Sequence, residues 1–307
     1  MNNINLFNGD EINQKTILGH PSGLFTLFFT EMWERFSYYG MRAILVLFLI
    51  SSIDNEGRGW ERSDALVLYG WYTGLVYITP IFGGLIADRL IGYRKAVVYG
   101  ALLMTLGHAA MALEVFYDFY LYVGLSLLIL GNGLFKPNIS SIVGQMYKDD
   151  GKIKDAAYTI FYMGINSGAF LGILLCGYIG ETVNWHYGFG LAGIFMLFGM
   201  LQFHYGQNIF GSIGLKPIEK KDEKNLDVKE NQTPRKTIVD RLIVIGIFSF
   251  VTIFFWWGFE QAGGSMTIFA NDYTDRNLLG TGALVFKIVN TLLTLSLIHI
   301  SEPTRPY

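Results

Sequence analysis

The sequence predicts an all-α protein that crosses a membrane many times. Three observations carry that expectation. Apolar residues fall in long blocks separated by short polar stretches, and about 20 such residues span a bilayer. Charged residues make up only 16% of the 307-residue chain, against roughly 25% in soluble domains. Hydrophobic residues reach 51% and aromatic ones 16%. The same features exclude a disordered or fibrous chain, and a net charge of −2 gives no electrostatic footprint for nucleic acid. The one cysteine, Cys176, has no partner for an internal disulfide. Its neighbours Leu174, Leu175 and Gly177 mark it as a packing residue.

In chain order, spans are expected at 24–50, 65–87, 96–113, 119–145, 156–179, 187–206, 242–268 and 281–298. Residues 1–22 are polar and carry no cleavable signal, so they read as a cytoplasmic segment. Residues 210–240 are crowded with Lys, Glu and Asp and nearly free of aromatics. They read as a solvated cytoplasmic linker. It separates a six-helix bundle over 23–209 from the first two helices of a second bundle over 241–296. The polar stretch 297–307, with Pro303 and Pro306, arrives inside the eighth span. It reads as a non-native tail, with a short cytoplasmic tail as the alternative.

Positive charge sets the orientation. The connections after the second, fourth and sixth spans hold fourteen Lys and Arg, including Arg89, Arg94, Lys95, Lys148, Lys152 and Lys154. Those after the odd-numbered spans hold three, Arg58, Arg62 and Arg276. The even connections and the N-terminus are therefore placed in the cytoplasm.

Seven ionisable residues lie inside the expected spans: Glu31, Glu34, Arg35, Arg42, Lys136, Glu260 and Lys287. Each is costly near a bilayer centre unless paired or facing a cavity. At 100° per residue, Glu31, Arg35, Tyr38 and Arg42 share a stripe about 60° wide. Glu34 and Tyr39 flank it, while Phe28, Trp33, Phe36, Ile44 and Leu47 occupy the other faces. A mere neutralising i,i+4 pair of Glu31 with Arg35 is the bland alternative, but leucine would pack there at lower cost. Charges on the first, fourth and seventh spans, with none deep inside the intervening ones, follow the period of three-helix repeats in a transporter. Lys287 breaks that period and is expected to snorkel to the surface.

Lys136 precedes Pro137, which lacks an N–H and is expected to kink the fourth span. The glycines of GNGLFKPNIS match no phosphate-binding pattern. Trp256, Trp257 and the Gly263–Gly264 pair beside Glu260 read as pocket lining, ahead of an interfacial aromatic belt. His108, alone on an apolar helix, reads as a satisfied packing residue.

These residues also carry a resemblance. EMWERFSYYGMR (31–42) resembles the signature of the proton-dependent oligopeptide transporter (POT, or PTR) family, within the major facilitator superfamily. GGLIADRLIGYRK (83–95), FKPN around Lys136, FYMGINSGAF around Asn166 and FEQAG around Glu260 are similar to further family motifs in the right order. Together they cover residues 20 to about 295. The resemblance implies a major facilitator fold, with the N-terminal half present plus the start of the C-terminal half. It implies proton coupling through Glu31, Glu34, Arg35 and Glu260. It places Arg35, Tyr38, Tyr39, Arg42, Tyr77 and Lys136 on the carboxylate side of a peptide pocket. It sets Asn166 and Asn290 near the peptide's amino end, and puts Trp256 beside Glu260, which it expects to pair with Lys136. The family core has twelve helices and this chain stops within the eighth expected span. The tenth-helix glutamate of the family is therefore absent, and the 307-residue product is expected to be inactive alone. The linker is too short and polar for the two extra helices that many bacterial members insert.

The expected function is proton-coupled symport of di- or tripeptides across the cytoplasmic (inner) membrane by alternating access. Protons are the coupling ion, with no other cofactor and no metal. The lipid bilayer and the peptide are the partners, and no obligate protein partner is evident. A buried carboxylate beside Arg or Lys stays ionised, and one separated from its partner takes up a proton. An arriving proton thus releases a cation for the peptide carboxylate. A family member importing another small anion such as nitrate is the runner-up, and a receptor or channel is a further alternative. An enzyme is excluded, since the helices offer no GxSxG, no HExxH and no close His/Cys pair.

Overall fold

The computed structural model describes residues 15–148, 151–216 and 235–273. The expected span at 281–298, the tail at 297–307, Lys287 and Asn290 lie outside the described residues.

The described apolar blocks are helical, because backbone polar groups in lipid must be satisfied within the segment. In order these are α1 (Gly23–Ile50), α2 (Arg62–Ile86), α3 (Tyr93–Ala112), α4 (Phe119–Gln145), α5 (Gly151–Thr182), α6 (Trp185–Gly206) and α7 (Arg235–Glu260). The helix of α2 continues through a π-helical turn at Ala87–Ile91. It ends at Gly92, whose φ of 80° lies in the left-handed region that glycine tolerates. Six described helices, α2 to α7, are long and apolar enough to cross a membrane. The 28-residue α1 is also long enough, but its interior charges require burial inside the bundle rather than against lipid.

That burial is achieved by placing α1 against α5 and α6. Helix α5 presents Gly164, Gly168 and Gly172 at four-residue spacing, which stacks them along one face. A Cβ at Gly164 would meet the carbonyl of Phe28 at 2.9 Å, and at Gly168 and Gly172 it would collide with the carbonyls of Met32 and Phe36. Small residues let membrane helices approach this closely. Cys176 continues the stripe, fully buried against Gly40. Helices α3 and α4 close the bundle, α3 against α6 and α4 against α2.

The two ends of the bundle are tied by polar contacts. At one end Arg94, just after the α2–α3 connection, donates from Nε to the carbonyl of Ile213 at 2.6 Å, beyond α6. At the opposite end Arg58, between α1 and α2, reaches Glu114 and Asp118, each at 2.8 Å, between α3 and α4.

Two local features depart from the sequence expectation. The N-terminal segment is not featureless: β1 (Thr16–Ile17) and β2 (His20–Pro21) pair as a tiny antiparallel hairpin. Leu18 and Gly19 turn it, with φ of 51° and 80°, as two-residue hairpin loops require. The span expected over 242–268 is not one helix. It stops at Glu260, passes a 3₁₀ turn at Gln261–Gly263 and resumes as α8 (Ser265–Tyr273). The glycine pair permits the break, Gly264 adopting φ −115° and ψ −105°. Helix α4 runs unbroken through Pro137. Side chains of Asn138, Ser140 and Ser141 take up the carbonyls of Leu134, Lys136 and Pro137 around it.

Candidate functional site

The interior charges gather in two linked groups on α1. In the first, Nε of Arg35 lies 3.0 Å from Oε1 of Glu31, one helical turn earlier, and the Glu34 carboxylate is in still closer contact. All three are buried: Glu31 3%, Glu34 0% and Arg35 3% exposed. From α4, Asn132 donates to Oε1 of Glu34 at 3.2 Å. Oε2 of Glu31 and Nη2 of Arg35 are buried without a hydrogen-bond partner. Such orphaned charged atoms are expensive in a dry interior. They mark a place where a proton or an anion would find an unmet contact.

In the second group, Nη2 of Arg42 lies 2.5 Å from Oε2 of Glu260 at the end of α7. Arg42 also donates from Nε to the hydroxyl of Tyr69 at 3.1 Å and from Nη1 to that of Tyr38 at 3.5 Å. Glu260 accepts a second hydrogen bond from the Tyr77 hydroxyl, 2.8 Å from Oε1. The rings of Tyr38 and Tyr39 bridge the groups. The Arg35 guanidinium stands 5.4 Å from the Tyr38 centroid and 6.0 Å from that of Tyr39, and that of Arg42 5.3 and 5.8 Å. Lys136 is half-buried, with Nζ 4.9 Å from the centroid of Tyr77. Three cations (Arg35, Arg42, Lys136) thus face three carboxylates (Glu31, Glu34, Glu260), and the buried set is neutral.

A cavity of about 910 Å³ opens between α2 and α7, lined by Tyr69, Tyr77, Trp256, Trp257, Glu260 and Gly264 among others. Trp256 stands 6.1 Å from Tyr77, ring to ring. Both tryptophans line this space, as the sequence leads one to expect. The Glu31–Glu34–Arg35 group is not part of its wall.

Most of the residues singled out from sequence are therefore brought together, with exceptions. Glu260 pairs with Arg42 and Tyr77, not with Lys136, and no ion pair joins Lys136 to a described carboxylate. The reason is reach: α7 ends where Glu260 meets the guanidinium, and the Tyr77 ring takes the ammonium. Asn166 stays apart, its amide donating to the carbonyl of Tyr162 on its own helix at 3.1 Å. His108 is buried and only half satisfied: Nε2 lies 2.5 Å from the Ser37 hydroxyl, and Nδ1 is buried without a hydrogen-bond partner. Three participants were not legible. Tyr69 and Asn132 hold the two key charges, and only the isolation of Asn132 in an apolar helix hinted at a partner. Arg62, at the start of α2, reaches Asp272 on α8 at 2.6 Å.

Comparison with known proteins identifies the family. Residues 94–224 match the family model described as PTR2, POT family. The di-/tripeptide transporter of Lactococcus lactis subsp. lactis is 44% identical, over 76% of this chain and 47% of that protein. The peptide transporter YePEPT of Yersinia enterocolitica subsp. palearctica is 33% identical, over 92% of this chain and 67% of that protein. A crystal structure of a peptide transporter POT in complex with sulfate superposes with a TM-score of 0.75 at 34% identity, covering 94% of this chain and 69% of that one. A POT family transporter in complex with 5-aminolevulinic acid gives 0.73 at 29% identity, covering 96% and 73%. The chain spans about half the length of the Lactococcus relative.

Proposed function

The chain belongs to the POT family, and from that premise we propose that it serves in a proton-coupled symporter of di- and tripeptides. The observation that carries this is the neutral, buried set of three carboxylates and three cations, with unmatched atoms on Glu31 and Arg35. Each orphan is destabilising unless a proton or an anion meets it, which supports that reading. A site that changes its proton count and its anion must leave some atoms unmatched.

The chemistry runs through the chain's own residues. Protonation of Glu31 or Glu34 removes a charge held against Arg35, and the freed guanidinium takes the peptide carboxylate in a bidentate contact. Protonation of Glu260 likewise frees Arg42 and weakens the link between α1 and α7. Losing that link lets the first bundle rock against the second, the motion of alternating access. Tyr69, Tyr77, Trp256 and Trp257 line the substrate space. Lys136, over the Tyr77 ring, adds positive charge on the carboxylate side, and the resemblance assigns Asn166 to the peptide's amino end. Two related structures hold sulfate and 5-aminolevulinic acid, anionic or zwitterionic ligands, which suits a site that includes the Arg35 and Arg42 guanidinium groups.

We place the protein in the bacterial cytoplasmic membrane with the N-terminus, the even connections and the linker in the cytoplasm, an orientation supported by the positive charge of those connections. Protons are the only coupling partner and no cofactor is required. The test is uptake of labelled dialanine into liposomes containing the protein at the length of its relatives, under an imposed inward proton gradient. Gradient-dependent accumulation that unlabelled dipeptide competes away is expected. Accumulation of nitrate in place of dipeptide would overturn the substrate assignment, and flux indifferent to the gradient would overturn the coupling.

A further inference from the structure

His186 is the second residue of α6. Its backbone N–H donates to Oδ1 of Asn184, the residue that caps the helix, at 2.7 Å. A backbone N–H only donates, so this end of the Asn184 amide is its oxygen. The amide nitrogen donates to the Glu56 carboxylate, which fixes the amide in the same sense. That same oxygen lies 3.1 Å from Nδ1 of His186, while Nε2 lies 2.8 Å from Oε2 of Glu114. Both ring nitrogens therefore face acceptors. A neutral imidazole donates from one nitrogen only, and its bare nitrogen would set lone pair against lone pair.

We propose that His186 is a proton-binding site at the outer end of the first bundle, held as an imidazolium between Glu114 and Asn184. Its outer location rests on the proposed orientation; its occupancy by a proton rests on the hydrogen-bond geometry alone.

The groups around it agree. Glu114 is 2% exposed, and its second oxygen lies 2.8 Å from Nη1 of Arg58, so one carboxylate is hydrogen-bonded to the imidazole and ion-paired with the guanidinium. Arg58 is balanced in turn by Asp118 at 2.8 Å. From α1, Phe48 sets its ring edge-on to the imidazole at 5.6 Å and brings no charge. The N-terminus of α6 disfavours a cation at this position. Beside it, Asn184 borders a cavity of about 850 Å³ whose wall carries Asp54, Glu56, Glu61 and Glu181 against Arg62. Carboxylates thus outnumber cations around the imidazole. The site joins the α1–α2, α3–α4 and α5–α6 connections through Arg58, Glu114 and Asn184. When the proton leaves, one of the two ring contacts is lost and the three connections loosen together. Glu31 and Glu34 lie in mid-helix, so this proton is separate from the one assigned to coupling.

The test is ¹⁵N NMR of the histidine-labelled chain in lipid nanodiscs at about pH 6. A ring signal with both nitrogens protonated is expected that disappears in His186→Gln. If the signal lost in that variant is a neutral ring with one bare nitrogen, the proposal is overturned. Should His186→Gln not fold, Glu114→Gln serves: the doubly protonated ring then becomes neutral at the same pH, whereas an unchanged spectrum overturns the proposal.

Discussion

Nη2 of Arg42 and Oε2 of Glu260 stand 2.5 Å apart, and this pair joins the first helix to the end of α7. It is largely screened from solvent, with side chains 8% and 18% exposed. Arg42 also holds the hydroxyls of Tyr69 and Tyr38, contacts that do not involve Glu260. The carboxylate is therefore the removable part of a cation cage.

Glu260→Gln leaves Arg42 without its counter-charge. Breaking a buried pair from one side costs about 3 kcal/mol, and the two tyrosines offset part of that. A fall of several degrees in the melting temperature is expected in detergent, together with loss of gradient-driven uptake by the protein at the length of its relatives. Glu260→Asp keeps the charge and recovers part of both. A Glu260→Gln variant as stable as the wild type would mean that the pair carries no net stability.

Asn132→Leu removes the amide that donates to Glu34. A buried charged acceptor stripped of its donor costs roughly 1–3 kcal/mol. Thermal unfolding of Asn132→Leu beside Asn132→Asp separates shape from charge. Asp adds a second carboxylate next to Glu34, so it is expected to destabilise more than Leu. The reverse order would show that the Asn132 amide is not holding the carboxylate.

Gly172→Ala on α5 drives a methyl into the Phe36 carbonyl of α1. Overpacking of this kind costs about 1–3 kcal/mol. Gly246→Ala on α7, where nothing lies within 4 Å, is the control. It is expected to stabilise by up to about 1 kcal/mol through helix propensity. Equal effects of the two substitutions would refute the close approach of α1 and α5.

His20 tests the strap formed by the N-terminal hairpin. Its Nδ1 lies 3.0 Å from the Tyr147 hydroxyl, and burial lowers its pKa below the ordinary imidazole value. A group with a depressed folded pKa contributes stability that is full above its unfolded value. That contribution is lost as pH falls through the folded one. The wild type should therefore lose slightly more stability than His20→Gln between about pH 7 and pH 5. A wild type that gains on His20→Gln over the same interval would reverse the assigned sign.

The sequence revealed the fold where burial periodicity is long and unambiguous. Helix α4 was expected at 119–145 and runs over those residues, and α1 begins one residue before its expected start. It revealed Glu31 beside Arg35 for the same reason, since four-residue spacing stacks side chains on one face. The partner of Glu260 was not legible. Whether Arg42 or Lys136 reaches it depends on where α7 stops, and that is decided by a glycine pair which membrane helices often tolerate without breaking. Tyr69 escaped notice because one more tyrosine on an aromatic-rich helix carries no signal until its hydroxyl is seen against a guanidinium. His186 escaped for a related reason: its partners Glu114 and Asn184 come from two different connections, which no local pattern links.

The central claim is that the carboxylates on α1 couple proton entry to peptide movement. It is tested most directly by Glu31→Gln in liposomes holding the protein at the length of its relatives. Dipeptide accumulation under a proton gradient is compared with dipeptide exchange at equal pH on both sides. Accumulation is expected to be abolished while exchange persists, because Arg35 remains available for the peptide carboxylate. Undiminished gradient-driven accumulation in Glu31→Gln would contradict the account.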